Sequence, residues 1–96
     1  MIRQRTVTSL HELATSLGQV AEGSEWHLFG SVDRDDPNAT DIDLMILCKS
    51  DSQSDALRRA IDTDVLSLPL HLSLMTFDEA NAIDAVRMQG SRHVFP

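Results

Sequence analysis

The stretch Asp41-Ile42-Asp43-Leu44-Met45-Ile46-Leu47-Cys48 constrains the fold more than any other part of the chain. Side chains on a β-strand alternate between faces, so a strand with one wet face alternates apolar and polar residues. Here both alternating sets become apolar after the two aspartates, from Leu44 to Cys48. Such a strand belongs inside a sheet, with a layer covering each side. The same run is the longest apolar one in the chain, and it is far below the roughly 20 residues that a membrane helix needs.

The surrounding pattern supplies the covering layers. Ser9-Leu10-His11-Glu12 has the form of a capping box, and Leu10, Leu13, Ala14, Leu17 and Ala21 continue at helical spacing toward Gly23. Trp26-His27-Leu28-Phe29 reads as a short strand that runs into Gly30-Ser31, with Trp26 and Phe29 as core anchors. Residues 32–40 are polar, contain Pro37-Asn38, and read as a loop. After the central strand, Ala56, Leu57, Ala60 and Ile61 place a helix over 52–62. Leu70 to Leu74 is a third strand, opened by Pro69, where a missing N–H does least damage. Thr76-Phe77-Asp78-Glu79 is a second capping box, opening a helix through Ile83 and Val86 toward Gly90. The order α-β-β-α-β-α predicts an α/β (α+β) fold, a small mixed sheet of about three to four strands covered by helices. It is read as a single domain over 1–96.

Charge narrows the ligand. The chain has 15 acidic against 8 basic residues and a formal net charge of −7. Proteins that grip long nucleic acids derive much of their affinity from basic faces, which this composition does not provide. A polyanionic ligand here needs metal ions to screen the repulsion. The N-terminal Met1-Ile2-Arg3-Gln4-Arg5 has basic residues but no apolar stretch behind them, so no signal peptide is read. The single cysteine, Cys48, fits a reducing compartment, and the expected location is cytoplasmic.

The chemistry concentrates in Gly30-Ser31, the loop 32–40, and Asp41-Ile42-Asp43. Asp41 and Asp43 fall on one face of their strand, with Cα atoms about 6.5–7 Å apart, so both carboxylates can reach one or two cations. Like charges so placed are best tolerated with a cation between them. Magnesium suits such a pair, since it commonly takes one or two carboxylates plus substrate phosphates. Gly30 would let the backbone approach a triphosphate, with N–H groups and the Ser31 hydroxyl donating to phosphate oxygens. His11, His27 and His93 have no ligand spacing with Cys48 or with one another, so no zinc site is expected. Met45 and Leu47 continue the aspartate face and are read as core.

Phe29-Gly30-Ser31-Val32-Asp33-Arg34, followed by Thr40-Asp41-Ile42-Asp43-Leu44, resembles the minimal nucleotidyltransferases of the DNA polymerase β superfamily. Their usual pattern is Phe-Gly-Ser-x-x-Arg-Gly and then Ser-Asp-(Ile/Leu)-Asp-Leu. The resemblance implies the nucleotidyltransferase fold and metal-dependent transfer of a nucleoside monophosphate from an NTP to a hydroxyl. Carried over, it makes Asp41 and Asp43 the ligands of two Mg2+ ions, and Gly30 and Ser31 the binders of the triphosphate of ATP or another NTP. Arg34 matches the family arginine. Its chemistry suits a phosphate or acceptor contact, and it equally suits a surface charge offsetting Asp33, Asp35 and Asp36.

Two departures stand out. The glycine after the arginine is Asp35 here, in a loop a residue shorter than the commonest spacing. The third-strand carboxylate of many active members is replaced by His71, with Ser73 next on that face. Three roles are open to His71: metal ligand, general base toward an acceptor hydroxyl, or a histidine packed at the sheet surface. Chains this short resemble the antitoxin of two-gene toxin–antitoxin pairs, in which a small helical HEPN-type toxin receives AMP on a hydroxyl side chain. The acidity of the chain suits a basic partner. The competing reading keeps the fold as a module that neutralises its partner by docking, with little turnover. Transfer to an antibiotic or another small molecule normally involves an additional domain. Oligomerisation is compatible with the sequence.

Overall fold

The computed structural model describes residues 1–96. Helix α1 spans Ile2–Leu17 and is followed by a 3-10 turn, Gly18–Ala21. Strand β1 is Glu25–Phe29, a short helical turn α2 is Gly30–Asp33, and β2 is Ile42–Cys48. Helix α3 covers Asp51–Ala60 and β3 covers Leu70–Thr76. Two short helices, α4 (Phe77–Ile83) and α5 (Ala85–Met88), lead to β4, Arg92–Phe95. The sheet order is β3-β2-β1-β4. Strand β2 runs antiparallel to β1 and parallel to β3, and β4 runs antiparallel to β1. The result is the small mixed sheet covered by helices that the pattern predicted, with β2 inside it.

Layers form on both faces of β2, as its composition required. Leu44, Ile46 and Cys48 point into the larger core with Leu10, Ala14, Trp26, Leu28 and Leu57. Met45 and Leu47, on the aspartate face, pack under Ala80 and Ala85 of α4 and α5. Trp26 is fully buried and its Nε1 donates to Ser24 Oγ at 3.0 Å. Phe29 is half-buried against the smaller cluster rather than anchored in the main one.

Several expected boundaries move for identifiable reasons. Ser9 is not an N-cap: α1 begins at Ile2, because Ile2 and Thr6 extend the Leu10–Ala14 stripe backward. The start of that helix is capped from a distant loop, with the Arg3 N–H donating to Asp35 Oδ1 at 3.0 Å. The loop after Gly30 opens with the helical turn α2. Ser50 caps α3 by accepting the Gln53 N–H at 3.1 Å, and α3 stops at Ala60. At Thr76 the capping box forms in full: its hydroxyl accepts the Glu79 N–H at 3.1 Å, and Glu79 accepts the Thr76 N–H at 2.8 Å. The helix it opens does not reach Gly90 unbroken, because Asp84 takes a left-handed conformation, φ 52°, and splits it. The fourth strand lies beyond the predicted order. Arg92 and His93 are exposed and only Val94 is buried, so β4 carries almost no alternation to read.

A buried carboxylate ties three remote segments together. Asp33, at the end of α2, accepts from Arg3 Nε of α1 at 3.0 Å and from Arg92 Nε of β4 at 3.0 Å. Arg92 also donates to the Asp33 carbonyl. No helix is long and apolar enough to cross a membrane.

Candidate functional site

The register of the sheet builds the site. Asp43 is opposite Phe29 on β1 and opposite His71 on β3. In a parallel ladder, residues in register project to the same face, so Asp43 and His71 converge. Asp41, just before β2, lies on that face as well. The His71 Nδ1 atom is 3.4 Å from Asp41 Oδ2 and 3.5 Å from Asp43 Oδ1. One ligand atom from each of the three residues lies within 4.8 Å of the others. The Asp41 and Asp43 side chains are 30% and 25% exposed, against 65% for His71. Two like-charged carboxylates held this close on one face repel each other. A positive charge between them removes that penalty.

Gly30 is part of this geometry. Its φ is +76°, which L side chains rarely adopt, and a Cβ there would lie 2.1 Å from Asp43 Oδ2. One carboxylate oxygen of Asp43 therefore rests against the bare backbone of Gly30, while the other faces His71. The antiparallel pairing of β1 with β2 thus brings the Phe29-Gly30 turn and the Asp-x-Asp strand into contact. Ser31 is half-buried in the first turn of α2, where backbone N–H groups have no intrahelical partner.

Arg34 is placed differently. It is exposed, follows the last residue of α2, and makes no ion pair. The charges it was read as offsetting are handled elsewhere. Asp33 is held by Arg3 and Arg92, Asp35 caps α1, and Asp36 accepts the Asn38 N–H at 2.9 Å. Asp35 itself adopts φ +59°. Aspartate is among the few non-glycine residues that enter this region readily, and its carboxylate is fixed by the start of α1. That accounts for an aspartate at a position where the resembling family has glycine.

The Asp33 clip escaped sequence reading because its partners are remote in the chain, and no local signal joins them. The remaining histidines lie apart from the site. His11 Nε2 meets the Val94 carbonyl. His27 stacks on His93 with ring centroids 5.0 Å apart, and its Nδ1 is buried without a partner. Burial pushes the His27 pKa below its ordinary value, more than the hydrogen bond to Glu25 raises it, and His93 lowers it further. Burial likewise pushes the Cys48 thiol up, which keeps it protonated and unreactive.

No cavity encloses the Asp41–Asp43–His71 group. The largest, about 500 Å3, opens between α1 and Leu66–Leu68, with Ile42 at its base. Ile42 faces the main core, so this cavity is on the opposite side of the sheet from the carboxylates. The centre is accordingly an open surface site. Comparison of the chain with protein-family models, curated proteins and solved structures finds no match.

Proposed function

We propose that the chain is a metal-dependent nucleotidyltransferase that moves AMP from ATP to a hydroxyl on a partner protein. The observation that carries the reading is the seat of Asp43. Its carboxylate lies against Gly30, joined by Asp41 and His71, so a phosphate-approach turn and a cation-binding pair share one small surface. The donor set fits a divalent cation, with Asp41 and Asp43 as its anionic ligands. When bound, the cation screens the triphosphate and polarises the reacting oxygens.

The chain's own residues do the rest. The bare side of Gly30 is taken by Asp43, and the N–H groups of the turn α2, with the Ser31 hydroxyl, donate to phosphate oxygens. Arg34, exposed and unpaired, is available to an incoming phosphate or acceptor. An open site has no pocket of its own for an acceptor. A protein that brings a complementary surface is therefore the fitting substrate, and the net charge of −7 favours a basic one, such as a HEPN-type toxin.

The test is label transfer. With ATP labelled at the α-phosphorus, the partner should become covalently labelled, and it should stay unlabelled when ATP carries the label at the γ position. Asp41→Asn/Asp43→Asn should abolish transfer. Labelling from the γ position would instead identify a phosphotransferase. One observation favours the docking reading: an imidazole occupies the place of a third carboxylate, in register with Asp43. That reading predicts neutralisation of the partner by the Asp41→Asn/Asp43→Asn chain, with no label transferred by either protein.

A further inference from the structure

The magnesium that the sequence resemblance implies does not match the donor set in one respect. Magnesium prefers near-octahedral oxygen coordination, and His71 presents nitrogen. We propose that Asp41, Asp43 and His71 form a centre selective for a borderline first-row divalent cation, from manganese to zinc, over magnesium. The inference rests on reading the trio as a metal centre, as above, and specifies which metal that centre takes.

Three features of the structure support it. The nitrogen facing the carboxylates is Nδ1, 3.4 Å from Asp41 Oδ2 and 3.5 Å from Asp43 Oδ1. Donors at metal bonds of about 2.0–2.1 Å and about 3.4 Å apart subtend about 110°, the tetrahedral angle common for zinc. Next, the bare Gly30 leaves room for Asp43 Oδ2 beside its backbone, in the rotamer that directs Oδ1 to His71. Last, the third donor is an imidazole nitrogen, where a carboxylate would supply hard oxygen. An imidazole in place of a carboxylate reduces affinity for hard magnesium and raises it for nitrogen-preferring ions.

The experiment uses the full chain stripped of metal by a chelator and titrated calorimetrically with Mg2+, Mn2+, Co2+ or Zn2+, each alone and without nucleotide. Mn2+ and Co2+ should bind at least about tenfold tighter than Mg2+. Most nitrogen–oxygen sites follow that order to some degree, so the deciding comparison is His71→Asp. This variant should shrink the Mn2+-over-Mg2+ preference by about tenfold or more. With the His71 side chain 65% exposed, the substitution should not unfold the protein. In the Co2+-loaded wild type, the His71 ring protons should show paramagnetic shifts absent for His27 and His93. An unchanged preference in His71→Asp, unshifted His71 protons, or no binding of any cation would overturn the inference. Selective binding without nucleotide transfer would sink the enzymatic reading and leave this one standing. Transfer supported equally by Mg2+ in wild type and His71→Asp would do the reverse.

Discussion

Gly30→Ala separates backbone strain from site geometry. Gly30 has φ +76°, and an alanine held in the left-handed region is destabilised by about 1–2 kcal/mol. In a domain of this size that lowers Tm by about 4–8 °C per kcal/mol. The added Cβ would also lie 2.1 Å from Asp43 Oδ2. The obstacle is the end of a side chain, so it can yield with little loss of stability. It yields, however, by moving a carboxylate oxygen about 1 Å, where metal sites tolerate about 0.2 Å. Gly18→Ala supplies a control for backbone strain without an obstacle, since Gly18 has φ +57° with ψ −125° and nothing within 4 Å of the added Cβ. Both variants should lose stability in urea unfolding, followed by the fluorescence of the buried Trp26, and Gly18→Ala should lose more because ψ −125° lies outside the left-handed helical region. Only Gly30→Ala should weaken Mn2+ binding, by about tenfold or more. Equal metal affinity in the two variants would refute the account of Gly30 as the seat of Asp43.

Other expectations follow from the same structure. Asp33→Asn should destabilise the fold by about 1–3 kcal/mol, less than a fully buried pair because Arg3 and Arg92 remain partly exposed; urea midpoints would show it. Thr76→Ala and Ser50→Ala should each lower stability by about 1 kcal/mol through lost N-caps, measured in the same way. Because the His27 pKa is lowered in the folded state, the unfolded chain binds more protons as pH falls below the ordinary imidazole value of 6.5. Stability should therefore fall as pH drops below that value toward the folded pKa, and His27→Gln should flatten this slope in denaturation curves taken across the range.

The sequence made the sheet legible where burial is two-sided or caps are local. The doubly apolar β2 had to lie inside a sheet, and Thr76 through Glu79 wrote its capping box in adjacent residues. It failed where the deciding contact is remote. Ser9 and Glu12 mimic a helix start, but the actual start is capped by Asp35, and no spacing rule joins Arg3 to that loop. Strand β4 is held by pairing with β1 and by the Arg92–Asp33 clip rather than by its own pattern. That Asp41 and Asp43 share a face was readable from strand alternation, whereas the seat of Asp43 against Gly30 comes from the β1–β2 register, in which Phe29 lies opposite Asp43. That Asp43 and His71 share a register is a property of the β2–β3 pairing. The fate of Asp33 depends on the tertiary fold, and that left the roles open to Arg34 undecided at the level of sequence.

The most direct measurement is thermal unfolding of the wild type and of Asp41→Ala/Asp43→Ala with ATP, GTP, CTP or UTP, each with and without Mg2+ or Mn2+. A ligand at a hundredfold excess over its Kd stabilises the folded state by about 2.7 kcal/mol. The account predicts a metal-dependent rise in Tm with ATP that the double variant loses. A rise without metal, a rise retained in the double variant, or no rise with any nucleotide would contradict the assignment of Asp41 and Asp43 to a metal–nucleotide site.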